Sequence, residues 1–206
     1  MTTGARFHKR MKANESGTTV LEFALILPTF MVMLMGIFDL GYSVYIRSVL
    51  DGAVQRAARD ASLETGPNEL TAIDLKVRDS VRAIAKKAVV VAERQSYFEF
   101  ADVNRAETIV EDNKSGNTIG VCDAGETFED ENGNDNWDAD VGAEGVGGPQ
   151  DIVLYTVNVT YDRIFPLYQF ANQPQSKTIT AQTVLRNQPY GSQILLTNIT
   201  IKPCDV

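Results

Sequence analysis

The sequence predicts an α+β protein: a long N-terminal apolar helix, a second helix, and a small antiparallel sheet with a long acidic loop insertion. Three observations predict it. No residue between Phe23 and Phe38 is charged, and with its shoulders the apolar stretch runs from about Val20 to Leu40. The apolar residues that follow recur at the three- and four-residue steps of a helix. Near the C-terminus, apolar and polar residues alternate as they do in half-buried strands.

The apolar stretch comes first. A bilayer core is crossed by about 20 apolar residues in helical form, so Val20–Leu40 is long enough to span one. Pro28 lies within it, and membrane helices tolerate an internal proline better than soluble ones. A basic head precedes it: Arg6, Lys9, Arg10 and Lys12 against Glu15 give residues 1–17 a net charge of +3. A basic head directly before an apolar span places that head in the cytoplasm. A secretory peptide would end its core in a small-residue cleavage site, whereas this core runs into Gly36-Ile-Phe-Asp-Leu-Gly-Tyr42. A plain anchor gives no reason for the carboxylate of Glu22 at the start of the span, since charges in membrane segments are expensive and usually functional. Asp39 is expected at the outer interface, where a charge costs little.

The helix is expected to continue outward. Leu50, Ala53, Val54, Ala57, Ala58 and Ala61 form an apolar stripe, with Arg47, Asp51, Gln55 and Arg59 opposite, until Gly66-Pro67 ends the run. A second helix is read over about Asn68 to Arg94 from Leu70, Ile73, Val77, Val81, Ile84 and Ala88, with a short strand over residues 97–103. Three strands close the chain. Asp151–Tyr161 buries Val153, Tyr155, Val157, Val159 and Tyr161; Lys177–Arg186 buries Ile179, Ala181 and Leu185; Gln193–Lys202 carries Leu195, Ile199 and Ile201 on one side. Between the first two, Ile164–Phe170 is apolar and broken by Pro166, and it suits a place under the sheet or beside the membrane equally well.

Residues 104–150 read as an insertion. In Asp130-Glu-Asn-Gly-Asn-Asp-Asn-Trp-Asp-Ala-Asp140, side-chain oxygens fall at Asp130, Asn132, Asn134 and Asp138, the offsets 1, 3, 5 and 9 of an EF-hand-type calcium loop. Asn136, at offset 7, would give its carbonyl. Asp135 stands where the motif has glycine, and Val141 where it has a bidentate glutamate; Asp140, Glu144 or Asp123 could complete the shell. The expectation is one weakly held Ca2+ ion, against the alternative of a solvated acidic loop. Trp137 is read as a small local core.

Other chemistry is limited. The net charge of −8 argues against nucleic acid. The sole histidine, His8, sits in the basic head, so the outer domain lacks a histidine base or zinc ligand. There is no Gly-x-Ser-x-Gly, no paired nucleophile and base, and no glycine-rich phosphate loop, and the chain is read as a non-enzyme. Cys122 and Cys204 fit no metal motif; outside the cytoplasm they would pair as a disulfide, and otherwise remain thiols.

The residues Gly17-Thr-Thr-Val-Leu-Glu22-Phe23 resemble the prepilin peptidase site of type IV pilins. The wider stretch, with Leu21-Glu-Phe-Ala-Leu-Ile-Leu-Pro28, Gly36-Ile-Phe-Asp-Leu-Gly41 and Ala57-Ala-Arg59, resembles the TadE-like family of minor pseudopilins of Tad pili. The resemblance is specific over roughly residues 16–62 and weaker at Leu185-Arg-Asn-Gln-Pro189. It implies a leader, 1–17, cut between Gly17 and Thr18 by a prepilin peptidase; a transmembrane and protruding helix, 18–66; and a periplasmic domain, 67–206. Glu22, the fifth mature residue, would face the new Thr18 ammonium of a neighbouring subunit and set register in assembly. Its bland alternative is snorkelling to the headgroups. Implied partners are other pilins and pseudopilins along the helix, the prepilin peptidase and inner-membrane lipid. The implied location is the bacterial inner membrane, in a single pass, or the pilus itself. The alternative function is a membrane-anchored or pilus-tip adhesin with a calcium-ordered loop.

Overall fold

The computed structural model describes residues 17–61, 70–112, 118–170, 172–189, 191–193 and 199–204. The basic head, the Gly66-Pro67 stop and Leu195 fall outside the described residues.

Helix α1, Thr18–Ala61, is continuous over 44 residues, about 66 Å at 1.5 Å per residue. Pro28 sits inside it. The structure divides into two compact units, one of the chain up to Tyr45 with Asp162–Ser176, the other of Ile46–Tyr161 with Lys177–Val206.

The larger unit is α+β. Helix α2 spans Leu70–Arg82. The main sheet has the order β3-β1-β4-β5, built from β1 (Val89–Tyr97), β3 (Ala143–Glu144), β4 (Ile152–Asp162) and β5 (Ser176–Arg186). β1 and β4 run antiparallel, from Val89 opposite Thr160 to Tyr97 opposite Ile152. Side chains bond across β4 and β5 at Thr160–Thr178 and Thr180–Asn158.

The expected apolar stripe of α1 is buried at Leu50, Val54, Ala57, Ala58 and Ala61, and so are Ile73, Val77 and Val81 of α2. The alternation of β4 buries Val153, Tyr155, Val157, Val159 and Tyr161. Each large side chain removed from water here contributes roughly 1.5–3 kcal/mol. A polar clamp ties α2 to the sheet: Arg94 donates to Asp74 at 3.0 and 2.5 Å, and the Tyr155 hydroxyl donates to the same carboxylate at 2.7 Å. Burial, and then the Asp74 carboxylate, push the Tyr155 hydroxyl above its ordinary pKa, so it remains a donor.

Three expectations are corrected. The second helix stops at Arg82 instead of Arg94, and residues 89–94 are strand. Val81, Ala85 and Ala88 are all buried, which prolongs the helical period past the real end. The Arg82 Nε donates to the Ala88 carbonyl at 3.1 Å and closes the turn, after which three consecutive valines favour extended backbone. The strand expected over residues 97–103 ends at its first residue, Tyr97, the last of β1: Phe100–Asp102 is a 3-10 turn, and the Asp102 carboxylate accepts from the Glu99 amide. The last strand, β6 (Thr200–Pro203), does not join the main sheet. It pairs antiparallel with β2 (Thr127–Asp130), a strand of the insertion, and Ile199 and Ile201 are exposed.

The insertion is folded around that pairing. Cys122 and Cys204 form the disulfide, with Cα atoms 5.4 Å apart. They cluster with Phe128, and Ile109 and Trp137 pack against the cluster. At the insertion's root, Tyr97, Val141, Ile152 and Leu154 make a second cluster. Gly142 is needed there, because a Cβ would meet the Tyr97 ring at 2.7 Å.

Candidate functional site

The helix begins at Thr18. A Cβ on Gly17 would meet no atom within 4 Å, and the Gly17 φ lies outside the left-handed region. Among the described residues, nothing calls for glycine at this position. Glu22 is exposed on the next turn, flanked by exposed Leu21, Phe23, Leu25 and Ile26. The helix is long and apolar enough to cross a membrane, and none of its most apolar window is buried within the chain. Water would penalise that surface heavily, at about 25 cal/mol for each Å² of apolar area.

Asp39 interrupts the apolar surface. It is 1% exposed, and Arg163 Nη1 donates to its Oδ2 at 3.1 Å. The expected outer-interface carboxylate is thus paired inside the chain, which offsets the desolvation of both groups. Its partner immediately precedes the apolar run Ile164–Phe170 that the sequence left unplaced.

The acidic loop curls on its own side chains. Asp130 Oδ1 accepts from the Gly133 and Asn134 amides at 2.7 and 3.1 Å, and Oδ2 from the Asp135 amide at 3.1 Å. Asp135, at the offset where the motif has glycine, has φ of 67°, the left-handed conformation that aspartate adopts more readily than most residues. The Asn132 and Asn134 amides both donate to Asp138 Oδ2, at 2.8 and 2.6 Å. Three of the expected ligand side chains, Asn132, Asn134 and Asp138, are thus brought together, while Asp130 binds the backbone amides of the same turn; Asn136 donates its backbone amide to Asn134 Oδ1 at 2.7 Å. Asp140 is taken elsewhere: it accepts from the Tyr97 hydroxyl at 2.8 Å and from the Gly142 amide. Among the described residues no three His, Cys, Asp or Glu side chains gather in a metal-holding group. The donors fit a hard cation only as two carboxylates supplemented by amide and backbone oxygens.

Sequence reasoning missed the residue that organises this loop. Glu107 is 3% exposed. Its carboxylate accepts from the amides of Glu131 at 2.9 Å and Asp138 at 3.0 Å, gripping both ends of the turn. Burial raises its pKa despite these bonds. Beside it, Arg105 binds Glu131 and Asp102, and Arg105 holds the Glu131 carboxyl below its usual range. Asn187, in the weaker C-terminal resemblance, is buried and donates to the carbonyls of Val146 and Gly148. Nothing local in the sequence marks Glu107 or Arg163, because each acts on residues distant in the chain.

The segment bearing Gly17, Glu22 and Asp39 matches a family model. Residues 17–59 match the TadE-like protein family. The match covers the resemblance read from the leader junction to Arg59 and stops short of Leu185–Pro189. No curated protein and no solved structure matches the chain. The TadE-like segment thus coincides with α1 almost end to end. The match relates this segment, residues 17–59 of the 206, to the TadE-like family.

Proposed function

We propose that this chain is a minor pseudopilin of a Tad-type pilus, held in the bacterial inner membrane by α1 and assembled through that helix with other pilins and pseudopilins. One observation carries the reading. Within the TadE-like match, a Cβ on Gly17 meets none of the described residues, and Glu22 sits exposed on an apolar helix surface that the described residues do not cover. Both residues answer to something outside the chain. A peptidase that must approach the backbone closely accounts for the glycine. A neighbouring subunit's Thr18 ammonium accounts for the glutamate, because a buried carboxylate opposite an ammonium relieves the desolvation of both.

Glu22→Ala tests the assembly role. The variant is expected to be cut normally after Gly17, to accumulate normally in the membrane, and to lose most of the pilus yield. Each association weakens about tenfold for every 1.4 kcal/mol of lost contact, and a pilus multiplies that loss. Undiminished pili at normal protein level would remove the register role.

The binding-module reading rests on the curled loop and the left-handed Asp135. In it the loop binds one Ca2+ ion through Asp130, Asn132, Asn134 and Asp138, with the Asn136 carbonyl, while Asp140 stays on Tyr97. Two carboxylates and no bidentate glutamate place the affinity at the weak end, a Kd on the order of 10⁻⁴–10⁻³ M. Titration calorimetry of the full chain in detergent should show binding that Asp138→Ala abolishes. Absence of heat and of any rise in Tm at millimolar calcium would leave a loop ordered by Glu107 alone.

A further inference from the structure

From Ile164 to Ser176 the chain has no charged side chain, although 22% of all its residues are charged. The run contains Ile164, Phe165, Leu167 and Tyr168, and Ile164 is 51% exposed. Its base is fixed. The Arg163 amide donates to the Gln175 carbonyl at 3.0 Å, and Gln175 Nε2 donates to the carbonyls of Arg163 and Phe165 at 2.8 and 3.2 Å. The short helix α3, Leu167–Phe170, forms its tip.

Arg163 joins this hairpin to the membrane helix. It reaches Asp39, 124 positions away in sequence, and its guanidinium lies 3.5 Å from the centroid of the Tyr168 ring. The ion pair neutralises the only cation of the hairpin. An apolar, uncharged loop is thereby pinned to one level of α1.

That level is set by helix geometry. Asp39 stands 21 residues beyond Thr18, about 31 Å along an α-helix. A hydrocarbon core is about 30 Å thick. With the first turn of α1 at the inner interface, Asp39 and the hairpin attached to it come to the outer headgroup boundary. Exposed Ile37, Phe38 and Leu40 continue the apolar surface at the same level. Tyrosine and partly buried apolar side chains are the residue types that settle in this zone.

We propose that the hairpin Asp162–Ser176 is an interfacial foot: Ile164, Leu167 and Tyr168 rest in the outer headgroup–acyl boundary of a phospholipid bilayer, and the Asp39–Arg163 pair holds them there. The inference rests on the membrane-anchor reading of α1 and adds a second, non-helical lipid contact.

Single-tryptophan reporters test it in the full chain carrying Trp137→Phe, reconstituted at one chain per phosphatidylcholine nanodisc. Formation of the Cys122–Cys204 bond certifies folding of each variant. Ile164→Trp reports the hairpin and Met31→Trp the helix. Both are expected to lose most of their emission when the lipid acyl chains are brominated, and Ile164→Trp to resist quenching by aqueous iodide. Adding Asp39→Asn should raise iodide quenching of Ile164→Trp several-fold without changing Met31→Trp. Iodide quenching of Ile164→Trp without bromolipid quenching overturns the foot, as does quenching by neither, which means cover by protein. Unchanged quenching after Asp39→Asn overturns the role of the ion pair. If Met31→Trp escapes bromolipid as well, the membrane-anchor reading itself fails.

Discussion

Gly17→Leu is expected to leave the precursor uncut, with Met1 retained, while the unaltered chain begins at Thr18. The size of the effect follows from what the fold does not require. A Cβ at Gly17 meets no atom of the described residues within 4 Å, and leucine is among the better helix formers just before the first residue of α1. A surface change of this kind alters stability by no more than about 0.5 kcal/mol. Loss of processing therefore cannot be attributed to misfolding. The added side chain acts only where another protein must press against the backbone, as a peptidase does at the residue preceding the scissile bond. Gly17→Ala, with a single added methyl, should be cut slowly. Mass spectrometry of the membrane-extracted protein reads all three cases. An intact Met1 in the unaltered chain, a cut beyond Leu40, or normal processing of Gly17→Leu would each defeat the assignment of the junction.

The long apolar helix was legible because its signals are local: a basic head and an uninterrupted apolar run. The same holds for β4, whose alternation needs nothing beyond its own residues. The end of α2 was not legible. Val81, Ala85 and Ala88 keep a helical spacing while the backbone between them leaves the helix, so periodicity alone cannot separate a buried turn from a buried helix. Alternation in the final strand announced a strand but not its neighbour; β6 pairs with β2 of the insertion, next to the Cys122–Cys204 bond. The acidic loop was legible in its oxygen spacing and opaque in its organisation, since Glu107 lies 24 residues from Glu131 and 31 from Asp138, whose amides it binds. Asp39 read as a cheap surface charge because its partner, Arg163, comes from a hairpin far along the chain.

Replacing both cysteines by serine is expected to detach the insertion and the C-terminal strand from each other while the main sheet survives. The bond joins residues 82 apart, and closing a loop of that length lowers the entropy of the unfolded chain by an amount worth about 4.5 kcal/mol, of which less is usually realised. Besides that bond, these parts are tied by the Lys202–Asp135 ion pair at 2.6 Å, the Cys204 amide donating to the Glu126 carbonyl at 2.9 Å, and the ladder itself. β2 and β6 share four residue pairs, Thr127–Pro203 to Asp130–Thr200, and an isolated two-stranded ladder is marginal in water. The cluster under it consists of the two cysteines and Phe128, with Ile109 and Trp137 against them. β6 is no part of the four-stranded sheet, so β1 and β4 keep their partners when it leaves. Loss of about 3 kcal/mol corresponds to a fall in Tm of roughly 6–12 °C for a protein of this size. Trp137 is the only tryptophan, so its emission reports the cluster directly and should shift to the red in the double variant. Reduction of the unaltered protein should reproduce the shift. Amide exchange should quicken in Phe128–Asp130 and Thr200–Lys202 and remain slow across β1 and β4. Unchanged Trp137 emission together with unchanged exchange in β2 and β6 would mean that the ladder stands without its covalent tie.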